Sequence, residues 1–246
     1  MRVLTVIGNR PQFVKAAAVS TRLREVASEV MVHTGQHYDD DMSRVFFDEL
    51  GLPRPEHRLE LGGGSNTAQT ARMLEAVGDL LRAEAPDAVL VYGDTNSTLA
   101  GALAAAQARI PVAHVEAGMR SFDRAMPEEL NRVLTDHASD LLLCSSEAPA
   151  EHLRAERVAG RIEVVGDVMV DVAQLVRVEP RAGEYVAVTA HRAGTVDDPE
   201  RLRRLVELLL AVPLEVVFPL HPRTRERLTA FGLLDRLAAG VTLLPP

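Results

Sequence analysis

Tryptophan is absent from this sequence, lysine and cysteine occur once each, and aromatic residues fill only 4% of its 246 positions. Each shortage excludes something. A single cysteine, Cys144, allows no disulfide within the chain, which argues against a cystine-stapled secreted scaffold and for a reducing, cytoplasmic compartment. Cys144 sits in the apolar run Leu141–Cys144 and reads as a small buried residue. No stretch reaches the roughly 18 apolar residues of a membrane span, and no signal-peptide core precedes the first strand pattern. Positive charge is also short: 27 basic against 35 acidic residues leave a net charge of −8, which speaks against a nucleic-acid or acidic-membrane binder. With so few rings and 47% hydrophobic residues, the core must be aliphatic, as in parallel α/β sheets.

The scarcity of lysine is informative. Of the 27 basic residues, Lys15 alone is not arginine. Such a bias reflects codon usage that turns interchangeable lysines into arginines. A lysine that survives it marks a place where a compact ammonium fits and a planar guanidinium does not.

What is present centres on Asp87 to Glu129. An apolar run, Ala88–Tyr92, breaks at Gly93-Asp94-Thr95-Asn96, and an alanine-rich helical stretch from Ser97 to Arg109 follows. A second apolar run, Pro111–Val115, ends in Glu116-Ala117-Gly118, and Met126-Pro127-Glu128-Glu129 comes after a loop. Apolar runs alternating with a helix read as a βαβ unit with buried parallel strands. Ligands of such sheets bind beyond the carboxyl ends of the strands. Asp94 and Glu116 stand at those ends, and Glu128 follows a proline at a helix start, where anions are favoured. Asp94 reads either as an acid of the site or as the cap of the next helix. Three carboxylates in one cleft suit proton transfer, or metal binding, although no His or Cys nearby shows ligand spacing.

At the N-terminus, strand Arg2–Ile7 breaks at Gly8-Asn9-Arg10-Pro11, and helical periodicity runs from Gln12 to Ala27. A helix N-terminus flanked by Arg10 and Lys15 makes a phosphate site, although Arg10 also suits a structural ion pair with one of the acids. The turn is neither G-x-G-x-x-G nor a Walker A loop. Glu29–Thr34 reads as a strand leading to Gly35-Gln36-His37, Pro53–His57 as a loop, and Gly62–Ser65 as a mobile turn before a helix over Thr67–Arg82. Strands at Asp140–Cys144 and Arg161–Val165 follow, then a helix starting within Gly166–Asp171. Val178–Gly183 is the expected linker. Beyond it come strand Tyr185–Ala190, helix Pro199–Leu210, strand Leu214–Pro219, helix Arg223–Leu237 and strand Val241–Leu244. His191-Arg192 and His221-Pro222-Arg223 mark successive strand ends, an arrangement suited to an anion. The fold expected is α/β with two Rossmann-like parallel-sheet domains: residues 1–178 catalytic, and 179–246 a partial nucleotide-binding domain.

Taken in order, Gly8–Gln12 with Lys15, Gly35–His37, Tyr92–Thr95, His114–Gly118, Pro127–Glu129 with Asn131-Arg132, and Thr189–Arg192 resemble the motifs of the non-hydrolysing UDP-N-acetylglucosamine 2-epimerases. That resemblance covers essentially the whole chain and implies a GT-B-like fold, no metal or other cofactor, UDP-GlcNAc and UDP as partners, and a homodimer. It also implies inversion at C2 by loss and re-addition of UDP through a 2-acetamidoglucal. Asp94, Glu116 and Glu128 would be the acid–base groups and His191 a catalytic or phosphate-stabilising partner. Arg10, Lys15, Gln36, Arg192 and His221 would bind substrate, in a cleft shared by the two halves. Other readings are a hydrolysing relative releasing ManNAc and UDP, and a non-catalytic nucleotide-sugar-binding protein.

Two departures stand out. After His191-Arg192 the family's Glu-Asn pair is replaced by Gly194-Thr195, and its later Ser-Gly-Gly-x-x-Glu-Glu stretch has no counterpart before Pro246. The second half is shorter than the roughly 100 residues such a domain needs, so a shortened chain is expected. This form should therefore bind UDP-GlcNAc weakly and turn over little or none. NMR assay of C2 epimerisation, beside a version extended through that region, checks it; equal rates from both would refute the expectation.

Overall fold

The computed structural model describes residues 1–35, 51–175 and 183–245. The expected linker lies mostly outside that set, as do Gln36 and His37. The chain divides into two compact units, Met1–Arg177 and Val178–Pro246.

In the first unit the strands are β1 (Arg2–Ile7), β2 (Ser28–His33), β3 (His57–Arg58), β4 (Ala88–Tyr92), β5 (Val112–Val115), β6 (Leu141–Cys144) and β7 (Arg161–Val164). All pair in parallel, in the order β3-β2-β1-β4-β5-β6-β7. The helices are α1 (Arg10–Val26), α2 (Asn66–Glu84), α3 (Asn96–Gln107), α4 (Pro127–Ala138), α5 (Glu147–Glu156) and α6 (Val168–Leu175). Strand order reverses between β1 and β4, which opens a crevice at their carboxyl ends. The central strands read as continuous apolar runs because both faces are covered. Leu4, Val6, Val89 and Val91 pack with Val77 and Leu81 of α2, whereas Val3, Ile7, Leu90 and Tyr92 pack with Phe13 and Ala17 of α1. The core is aliphatic, as the composition requires. Cys144 is buried, and that burial raises its thiol to about 11.

Helix α3 is alanine-rich because it lies almost on the sheet. A Cβ at Gly101 would stand 3.1 Å from Val91 Cγ1 and 3.2 Å from Val6 Cβ, tighter than side chains normally pack. At the opposite end of that contact, a Cβ on Gly8 would overlap the Ser97 hydroxyl.

The second unit has strands β8 (Tyr185–Ala187), β9 (Glu215–Pro219) and β10 (Thr242–Leu244), parallel in the order β10-β9-β8. Its helices are α7 (Ala193–Val196), α8 (Pro199–Leu210), α9 (Pro222–Ala230) and α10 (Leu234–Ala238). Leu202, Val206 and Leu209 of α8 meet Val216, Phe218 and Leu228 in a core of their own.

Two local expectations need correction, one short helix is an addition to them, and one glycine turn has contacts that the sequence did not suggest. The helix expected over Arg223–Leu237 is two helices, because Gly232 takes φ +66° and ends the first, as glycine does at helix C-termini. Pro53–His57 is not all loop, since His57 pairs with Val32 in β3. The short helix α7 went unforeseen. Nor is the glycine run at Gly62–Gly64 an untethered turn: the Arg72 guanidinium donates to the carbonyls of Leu61, Gly62 and Gly63, and Ser65 caps α2.

Gly118 combines φ +79° with a site where a Cβ would overlap the Pro149 carbonyl. Gly118→Ala should therefore lower stability by about 2–4 kcal/mol, from overpacking plus left-handed strain. Urea unfolding of the two proteins measures it.

Candidate active site

The turn after β1 is built around Gln12. Asn9 and Gln12 form a capping box on α1: the Asn9 side chain accepts from Gln12 N, and Gln12 Oε1 accepts from Asn9 N at 3.3 Å and Gly8 N at 2.7 Å. The Gln12 amide then crosses to the turn after β4. Its Nε2 donates to the Tyr92 carbonyl at 2.7 Å, with Thr98 Oγ1 at 2.8 Å and Thr95 Oγ1 at 3.0 Å. Gln12 is buried, and its amide locks the β1 and β4 turns together. One turn further on, Lys15 Nζ forms an ion pair with Glu116 Oε2. The lysine side chain is 13% exposed, so the one ammonium of the chain is enclosed against a carboxylate. Arg10 opens α1 at the same end of the sheet and is exposed.

Asp94 is not the cap of α3; Thr95 is, in a capping box with Thr98. Asp94 is left available for other work, and α4 holds it. Arg132 donates to Asp94 Oδ2 from Nε at 2.9 Å and from Nη2 at 2.6 Å, while Asn131 Nδ2 donates to the Asp94 carbonyl at 3.0 Å. Both guanidinium contacts fall on one oxygen. A pocket of about 140 Å³ is lined by Asn9, Asp94, Thr95, Asn96, Glu128 and Asn131, among others. Asp94 and Glu128 thus share one cavity.

The two acids of Pro127-Glu128-Glu129 have different surroundings. Burial alone would raise the Glu129 carboxyl, but hydrogen bonds outweigh it and hold it at about 2. Its oxygens accept from Ser121 N, Ser121 Oγ and Phe122 N, each at 2.9 Å, and from Arg132 Nη1 at 2.8 Å. Glu129 therefore anchors the loop before α4, whereas Glu128 is exposed to the pocket.

Glu116 stands just beyond β5 in the left-handed region, at φ +68°. Non-glycine residues pay for that conformation, and it persists only where neighbours hold it. Here the Leu143 carbonyl accepts from both Glu116 N, at 3.0 Å, and Ala117 N, at 3.1 Å. Glu116 also lines a second pocket of about 160 Å³, walled largely by Val19, Val115, Leu143 and Val168. Behind it lies a buried ionic cluster. His114 contacts Asp136 Oδ1 through Nδ1 at 2.7 Å and the Gly93 carbonyl through Nε2 at 2.7 Å. Asp136 Oδ2 accepts from Arg120 Nη1 at 2.7 Å and from Gly118 N at 3.2 Å, and Arg120 also grips Glu156 through two 2.7 Å bonds.

Asp94, Glu116, Glu128 and Lys15 are thus gathered at one end of the first sheet, with Asp94 and Glu116 just past the paired residues Tyr92 and Val115. In the second unit His191 and His221 stack with ring centroids 5.1 Å apart. His221 caps α9, its Nδ1 accepting from Arg223 N, while Arg223 is tied to Asp197. Arg192 precedes α7 at its N-cap position, without a side-chain capping bond, and is exposed. Gln36 lies outside the described residues. Gln12, His114, Asn131 and Arg132 fall within the motifs quoted above but no individual role was expected of them, and Arg120 and Asp136 stand outside those motifs; the Asn9–Gln12 spacing also matches a capping box.

Parallel sheets with acids and cations at the strand ends define the class as GT-B-like: a UDP-glucosyltransferase from Polygonum tinctorium superposes with TM-score 0.61 at 15% identity over 99% of this chain and 70% of its own, a likeness of fold alone. Within that class, the chain belongs to the UDP-N-acetylglucosamine 2-epimerase family, which residues 21–246 match. It is 46% identical to the UDP-2,3-diacetamido-2,3-dideoxy-D-glucuronate 2-epimerase of Pseudomonas aeruginosa, over 96% of this chain and 70% of that protein. It is 39% identical to the UDP-N-acetylglucosamine 2-epimerase of Methanocaldococcus jannaschii, covering 98% and 71% respectively. The structure of the Methanocaldococcus jannaschii UDP-GlcNAc 2-epimerase with UDP-GlcNAc and UDP superposes with TM-score 0.87 over 100% of this chain and 74% of the other.

The Lys15–Glu116 pair gives a sharp expectation. Lys15→Arg should lower turnover at least about tenfold, because a guanidinium is larger and planar and cannot occupy the same enclosed space against Glu116. UDP affinity and C2 epimerisation, measured on a full-length Lys15→Arg variant and its full-length parent, test it; wild-type values in both would refute it.

Proposed function

We propose that this chain inverts C2 of a UDP-linked 2-acetamido sugar, interconverting UDP-GlcNAc and UDP-ManNAc. A carboxylate removes the C2 proton; the C2–H electron pair forms the C1=C2 bond of a 2-acetamidoglucal as the C1–O bond breaks and UDP departs with the C1–O pair. A phosphate oxygen of UDP then re-adds to C1 while a proton reaches C2 on the opposite face. The observation that carries this reading is the gathering of Asp94, Glu116 and Glu128 at one end of a parallel sheet, with Lys15 on Glu116. Inversion requires an acid and a base near one carbon, and general acid–base catalysis needs them within reach of it. Arg10, Lys15, Gln36, Arg192 and His221 are assigned to the nucleotide, whose leaving charge needs cations and donors. His191 is assigned to the catalytic set or to the departing phosphate. Work as a cytoplasmic homodimer completes the proposal, supported by family resemblance and the lone, buried thiol.

A second reading is favoured by the 46% identity to the Pseudomonas aeruginosa protein, which acts on a 2,3-diacetamido glucuronate. In that case the chemistry at C2 is unchanged, and the differences fall at C3 and C6. Incubating the version extended beyond Pro246 with each UDP-sugar in D2O, and following deuterium entry at C2 by NMR, separates the two. Exchange with UDP-GlcNAc is expected; exchange with the diacetamido glucuronate alone would shift the assignment. Exchange with neither would overturn the reading.

A further inference from the structure

His114 and Asp136 line neither pocket at the acids, yet both are buried behind them. Their hydrogen bonds have a defined polarity. The Gly93 carbonyl oxygen has no hydrogen to give, so His114 Nε2 donates to it. Asp136 accepts from Arg120 and from Gly118 N, and stays a carboxylate, so His114 Nδ1 donates as well. Both ring nitrogens therefore serve as donors in one fixed orientation. On one side the ring holds the carbonyl of the Gly93–Asp94 peptide, while the Gly93 N–H, in the preceding peptide, donates to the Val115 carbonyl at 3.0 Å. The Gly93–Asp94 peptide sets the direction in which Asp94 leaves β4. On the other side the ring is tied to a carboxylate that also receives the N–H of Gly118, two residues past Glu116.

We propose that His114 and Asp136 form a positioning pair, which fixes Asp94 and Glu116 relative to each other through the Gly93 carbonyl and the Gly118 amide. Neither residue touches substrate. Their work is to stop two adjacent turns from drifting apart, and geometry is worth this much effort because misplacement by about 1 Å can cost about 10²-fold in rate. The proposal rests on the reading of Asp94 and Glu116 as the acid–base groups.

Two substitutions separate positioning from mere structural support. In His114→Asn the shorter amide retains a donor near Nδ1, toward Asp136, but loses the Gly93 contact. In His114→Gln the amide reaches toward the Nε2 position and restores the Gly93 contact, while Asp136 loses its bond to residue 114 and keeps those from Arg120 and Gly118 N. Deuterium entry at C2 of the UDP-sugar is measured on each in the version extended beyond Pro246, beside its parent and Asp94→Asn. His114→Asn is expected to lower kcat about 10- to 100-fold with KM within about threefold, and His114→Gln to recover most of the loss. In 13C-labelled protein without substrate, the Gly93 carbonyl and Asp94 carboxylate resonances should move in His114→Asn and stay near parent values in His114→Gln. This second arm needs no turnover. Equal losses in the two variants, kcat and KM moving together, or unmoved resonances would each overturn the proposal. Full turnover in Asp94→Asn, with the resonances moving as expected, would instead overturn the acid–base reading and leave the positioning intact.

Discussion

The Asp136 carboxylate is the constraint on which the first unit's chemistry depends. It is fully buried, and burial alone would push its carboxyl upward; His114 and Arg120 outweigh that and hold it below the usual carboxylate range. Taking charges out of water is costly, and a buried group is tolerated only when its partners are complete. Three donors from three places complete this one: the ring of β5, the amide of Gly118 and the guanidinium of Arg120. Arg120 passes the constraint on to Glu156 of α5. Removing Arg120 or Asp136 would strand a charge, so the strand, the loop behind Glu116 and two helices are held as a group.

Helix α4 carries that carboxylate and more. Glu128, Arg132 and Asp136 lie at successive four-residue steps, with Asn131 beside them, so one face of the helix serves the Asp94–Glu128 pocket, the Asp94 side chain and the Glu116 turn in sequence. The usual apolar stripe is inverted. Asn131, Thr135 and Asp136 are buried while Leu130 and Leu134 are 48% and 45% exposed. A helix normally turns its hydrophobic side inward; this one turns its polar side inward because it packs against the end of the sheet that holds Asp94, Glu116 and the partners of Asp136.

That inversion explains what could and could not be read from the sequence. Strands buried on both faces announce themselves as apolar runs, and Asp94, Glu116 and Glu128 were legible because each sits at a break that such runs make obvious. The supports were not legible. Gln12 reaches Tyr92 across 80 positions and Lys15 reaches Glu116 across 101, distances over which no local pattern survives. Asp136 looked like one more polar residue on a helix surface. Asp94 could be taken for a cap because Thr95, the true cap, is its neighbour and equally suited. The break in the last long helix turned on a glycine whose left-handed conformation only the fold reveals.

The close seating of α3 has a practical consequence for anyone reshaping this protein. Gly8 and Gly101 leave no spare volume where the helix meets β1 and β4. The rear wall of the site is thus already at its minimum thickness and cannot be thickened without prying helix from sheet. New selectivity has to be introduced from the opposite side, at a rim position such as Asn66, where a larger or differently charged side chain has solvent to expand into.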